Sequence, residues 1–152
     1  MPGTFTVLAV MLALLAPNSS TGRSRLAVPA VIVFANRESG ARFVLRSVDD
    51  NRRFMSALER LSGAPDTVGR PAFDVAMFYA FSNAATVGPV DKIPLSLADL
   101  RAVYFPADGS RPALLLPRAA VSGGALASST VSETGLRVLA RHGIRTHAGA
   151  PR

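Results

Sequence analysis

Asp74 is the residue whose type and context come nearest to chemistry. It interrupts residues 73–81, FDVAMFYAF, a stretch with no other charged side chain. A carboxylate in such a stretch, if buried, needs a cationic partner or a raised pKa, and either state suits ligand binding or acid–base work. Arg42 and Arg70 are the expected partners. A plainer expectation stands beside this one: Asp74 sits at a strand end, in a structural ion pair or facing solvent. The other carboxylates have local roles. Asp49, Asp50, Asp99 and Glu133 stand at helix-cap spacing after Ser or Thr. Asp108 belongs to an Asp-Gly turn, and Glu59 falls on the solvated side of a helix.

A second constellation lies near the carboxy terminus. Gly123-Gly124 runs into Ser128, Ser129 and Thr130 just before the last helical pattern, with Arg118 on its flank. Backbone N–H groups at such a helix start can bind an anion. The stretch lacks the Gly-Lys-Ser/Thr ending of a phosphate loop, and a surface loop would have the same composition. The candidate binding residues are therefore Asp74, Arg42, Arg118, Ser129 and Thr130.

Other chemistries lack their parts. The chain has no cysteine, which removes thiolate catalysis, Cys-ligated zinc and disulfides. Its two histidines, His142 and His147, have no metal-ligand spacing. Ser122, Ser128, Ser129 and Ser132 lie outside any Gly-x-Ser-x-Gly elbow, so a Ser-His-Asp triad would have to be built around His142. No catalytic residue, metal or cofactor is expected.

The net charge of +7 rests on 17 basic residues, of which Lys92 is the one lysine. Arginine offers a planar fork for carboxylates and phosphates, so the balance admits an acidic protein or an anionic envelope component as partner. A genome-wide preference for arginine gives the same composition. The arginines are dispersed, with a small group at Arg137, Arg141 and Arg145, and the aromatics fall at core-facing positions. That arrangement disfavours nucleic acid.

The elements that must position these residues follow from hydrophobic period. Residues 30–35 and 41–46 read as strands joined by the loop 36–40, with Phe43 and Leu45 on one face. Ser47 caps a helix whose apolar residues Val48, Phe54, Leu58 and Leu61 recur at helical spacing, and Gly63 with Pro65 ends it. Residues 73–81 alternate with both faces apolar, the mark of a central strand. Residues 96–99 allow a short helical turn. Residues 101–105 and 112–116 form a second hairpin, and Pro112 and Pro117 argue for an edge position. Thr130 and Glu133 form a capping box for the last helix. Gly143 and Ile144 end it. The expected fold is α+β: a mixed or antiparallel sheet of about five strands with two helices on one face, in the order β-β-α-β-β-β-α.

Residues 1–22 carry no charged side chain, and residues 5–16 form an apolar run followed by small and turn-forming residues. This reads as a signal peptide and is too short for a transmembrane helix. Against it stand the missing Lys or Arg before the run and Pro17 directly after Ala16. A buried amino-terminal element is the alternative. The expected organisation is a signal peptide over residues 1–22, a flexible lead-in over 23–29, one α+β domain over 30–146 and a disordered tail over 147–152. No segment of the mature chain is long enough to span a bilayer.

Three functions fit. The first is a non-enzymatic binding or interaction module outside the cytoplasm, secreted or periplasmic. The second is a small enzyme using a carboxylate and arginine around Asp74. The third, if the leader is retained, is a cytoplasmic basic protein associated with nucleic acid.

Overall fold

The computed structural model describes residues 27–60, 70–80, 88–107, 111–116 and 127–147. The leader therefore lies outside the described residues, as do Arg118, Gly123 and Gly124. The fold is α+β. Its strands are β1 (Val31–Asn36), β2 (Arg42–Leu45), β3 (Leu58–Arg60), β4 (Phe73–Phe78), β5 (Leu100–Phe105), β6 (Ala113–Leu116) and β7 (Ala127–Val131). Its helices are α1 (Val48–Ser56) and α2 (Glu133–Arg141). The strands form one sheet in the order β2-β1-β4-β5-β6-β7-β3, and every neighbouring pair is antiparallel.

The β1–β2 hairpin closes as its residues dictate. The Asn36 side-chain oxygen accepts from the N–H groups of Glu38 and Ser39, and Gly40 turns the chain at φ +68°, a conformation open to glycine. Helix α1 begins at Ser47, whose hydroxyl accepts from the Asp50 N–H. Helix α2 ends in a Schellman arrangement. Gly143 has φ +71°. The Ile144 N–H donates to the Leu139 carbonyl and the Gly143 N–H to that of Ala140, while Ile144 is buried.

The sheet has seven strands instead of the expected five, and the two additions share one cause. Leu58 to Arg60, expected to continue α1, leave the helix at Ala57 and pair with β7. Leu58 packs against the core from the strand, so one apolar residue satisfies both periods. Glu59 accordingly lies on an edge strand and not on a helix. Strand β7, sequence ASSTV, has too little apolar alternation to be read as a strand, yet Ser129 and Val131 are buried. Pairing with β7 also moves β6 from the expected edge to the interior. Pro112 precedes β6 and its carbonyl accepts from the Val131 N–H; lacking an N–H it makes no return bond to Val131, a loss confined to the position just before the strand begins. Strand β4 stops at Phe78, and the N–H groups of Tyr79 and Ala80 donate to the Asp99 carboxylate. Asp99 thus caps a strand end. The short 3-10 turn at Leu95–Leu97 has no side-chain cap. Thr130 lies within β7, and Ser132 takes the N-cap position of α2.

Register fixes what each face carries. One face bears Ile32, Phe34, Leu45, Phe73, Val75, Met77, Ala102, Tyr104, Leu114, Leu116 and Val131, all buried beneath Phe54 and Met55 of α1 and Val138 and Leu139 of α2. Phe34 meets Phe54 and Tyr104 edge-on at 5.8 and 6.0 Å, a geometry aromatic quadrupoles favour. Among the described residues the opposite face is covered at one end, where Ile93, Leu95 and Ala98 pack on Val31, Val33, Val44, Ala76 and Phe78. His147, the first residue of the expected tail, bridges to Ala107.

A groove on the open half of the sheet

Away from the helices, the sheet face carries Asp74 and Ala76 from β4, Arg101, Val103 and Phe105 from β5, Ala113 and Leu115 from β6, Thr130 from β7 and Glu59 from β3. The cross-strand pairs Asp74–Val103–Leu115, Ala76–Arg101, Phe105–Ala113–Thr130 and Thr130–Glu59 place them there. The segment through Leu95 covers the β2-β1-β4 end and stops. Arg42 holds that cover in place, donating to the carbonyls of Asp91 (2.9 Å) and Ile93 (2.7 Å). Beyond its edge lies an open cavity of about 440 Å³, bounded on this face by Asp74, Ala76, Leu95, Arg101, Val103 and Leu115. Pockets of roughly 300–1,000 Å³ take small ligands.

The electrostatics of this groove are lopsided. Asp74 lies at its rim, half exposed, and accepts from Arg37 through Nε at 3.0 Å and Nη2 at 2.6 Å. The expected partners Arg42 and Arg70 are therefore replaced by Arg37. Arg42 binds the covering segment, and Arg70 stands 4.0 Å from Glu38. Glu59, at the far edge of the face, is paired with Arg111 at 3.2 Å. Both carboxylates of this face thus have an arginine. Arg101 is exposed, and among the described residues no carboxylate lies within ion-pair distance of it.

Of the expected anion site before α2, Ser129 and Thr130 lie among the residues whose burial is described. Ser129 is buried on the helix-covered face, and Thr130 lies on the opposite face of the same strand. Neither stands at the helix start, and Arg118 is outside the described residues. Of the five expected binding residues, Asp74 borders the groove, and Arg42 serves it indirectly. The residues that sequence reasoning passed over are Arg101, Val103 and Leu115. Their signal was present: in RAVYF, Arg101, Val103 and Phe105 alternate with Ala102 and Tyr104.

A second polar cluster lies on the helix side. Asp50, in the first turn of α1, accepts from Arg141 at 2.9 Å and from His142 Nε2 at 3.0 Å, at the end of α2. These contacts hold the Asp50 carboxyl below the ordinary carboxylate range. The His142 hydrogen bond is the main cause and partial burial opposes it, while the Arg141 charge assists. Asp50 thus ties two helices together. Among the described residues no three His, Cys, Asp or Glu side chains gather to hold a metal, and no helix is long and apolar enough to cross a membrane. No protein-family model, curated protein or solved structure matches the chain.

Proposed function

We propose that this chain is a small non-enzymatic binding module acting outside the cytoplasm, with the groove on the open half of its sheet as the binding surface and an anionic component of the cell envelope as its partner. The observation that carries this reading is the unequal covering of the sheet. Among the described residues one face is closed along its length by two helices, and the other is closed at one end by the 90–98 segment. Its remainder presents half-buried Val103, Phe105 and Leu115 beside an exposed arginine. Apolar surface next to an aimed charge is the composition of a ligand site. Asp74 is already paired, its Oδ1 accepting from Arg37 Nε and Nη2, so the charge this face offers a ligand is that of Arg101. The extracytoplasmic location rests on the leader sequence of residues 1–22.

The test has two arms. Amino-terminal sequencing of protein from the native cell is expected to give a start after residue 16 and recovery from the envelope or medium. Protein retaining Met1 in the cytosol would overturn the location. Amide chemical shifts followed during titration with envelope extracts are expected to move at Val103 and Leu115. Shifts confined to other parts of the molecule would overturn the site.

A further inference from the structure

We infer that the groove takes a single-chain amphiphile with a carboxylate head, the head on the Arg101 guanidinium and the first methylenes of the tail along Val103, Leu115 and Leu95. The inference rests on the binding-site reading above and names its ligand class.

Charge selects the head. Asp74 is neutralised through two N–H bonds from Arg37, and Glu59 is paired with Arg111. The field over the apolar floor is therefore that of Arg101, opposite Ala76 in the ladder. A guanidinium presents parallel donors that match a carboxylate. Nearby apolar walls lower the local dielectric and strengthen the contact. A cationic head would meet no unpaired carboxylate on this face among the described residues.

The walls select the tail. The groove lies on the face of the sheet and away from its edges. Strands β4 and β5 each have a neighbour on both sides, so their N–H and C=O groups point sideways into the ladders. A peptide laid here would bury its main-chain polar groups without partners, each at a cost of roughly 1–3 kcal/mol. A hydrocarbon chain has no such groups. It gains from contact with Val103, Leu115 and Leu95, and β-strand augmentation has no free edge to use at this place.

The experiment is calorimetric titration of the full chain with sodium dodecanoate, methyl dodecanoate and dodecyltrimethylammonium, all below their micelle concentrations. It is repeated with Arg101→Gln and with Val103→Asp, each checked for native circular dichroism. Dodecanoate is expected to bind the unaltered chain at least about tenfold more tightly than the ester or the ammonium, the ratio that loss of a charge-assisted hydrogen bond gives. Arg101→Gln is expected to erase that preference, and Val103→Asp to weaken all three. Equal affinity for dodecanoate and ester, or a preference surviving Arg101→Gln, overturns the carboxylate head. If no amphiphile binds while an acidic peptide shifts the Val103 and Leu115 amides, the amphiphile is overturned and the groove stands. If neither ligand class moves those amides, both readings fall.

Discussion

His142 Nε2 stands 3.0 Å from Asp50 Oδ2, joining the end of α2 to the first turn of α1. A carboxylate can only accept, so the ring donates through Nε2. Asp50 also lies where the α1 dipole is positive, and Arg141 where the α2 dipole is negative. The two helices run antiparallel, and each end complements the other.

Because the folded-state pKa of Asp50 is lowered, its contribution to stability is fully present above the ordinary carboxylate range and is lost as pH falls through the folded value. Denaturant midpoints of the unaltered chain are expected to fall from pH 5 towards pH 3. Asp50→Asn is expected to cost about 1 kcal/mol at pH 7 and to flatten the acid limb. An unchanged acid limb in Asp50→Asn would mean that other carboxylates set it.

Gly135 lies in α2 where a Cβ would sit 2.6 Å from Val131 Cγ1 and 3.0 Å from Ala57 Cβ. Alanine gains up to about 1 kcal/mol in helix propensity, but overpacking costs about 1–3 kcal/mol. Gly135→Ala is expected to lower the melting temperature. Adding Val131→Ala to Gly135→Ala is expected to recover part of the loss, because it removes the nearest atom. If the two changes are additive in thermal melts, the clash is absent.

Tyr104 is fully buried, and its hydroxyl has no hydrogen-bond partner among the described residues. Burial raises its pKa far above the ordinary phenol value. An unsatisfied hydroxyl costs roughly 1–3 kcal/mol. Tyr104→Phe is therefore expected to be as stable as the unaltered chain, or about 1 kcal/mol more so. A clear drop in the unfolding midpoint would reveal a bond to that oxygen.

The Arg37–Asp74 pair is exposed on both sides, and such pairs contribute about 1 kcal/mol or less. Asp74→Asn is expected to leave thermal stability nearly unchanged. It should also increase affinity for anions in the groove, since it removes a negative charge from the rim. Weaker anion binding in Asp74→Asn would show that Arg37 had depended on Asp74 for its position.

Much of this fold was legible where local chemistry decides. Asn36 and Gly40 specify the first turn, Ser47 starts α1, Gly143 and Ile144 stop α2, and the doubly apolar FDVAMF sits inside the sheet. The illegible parts depend on distant partners. Leu58 fits helical and strand periods alike, and only its pairing with Val131 decides between them. ASSTV becomes a strand because β6 and β3 lie on either side of it. In the groove, the alternation of Arg101 and Val103 could be read directly. Arg37 could not, because its reach to Asp74 follows from the register that sets Asn36 opposite Phe73. The Asp50–His142 contact depends on how two helices pack, which neither helix reveals alone.

The placement of β3 has a consequence for synthesis. Its three residues follow α1 directly, yet they close the far edge of the sheet by pairing with β7. A nascent chain that has reached residue 116 holds the other strands but has neither β7 nor the second helix. Leu114 and Leu116 then lack their cover, and residues 58–60 have nothing to join. Closure over so long a loop is slow, so the domain cannot lock until β7 and α2 have been made.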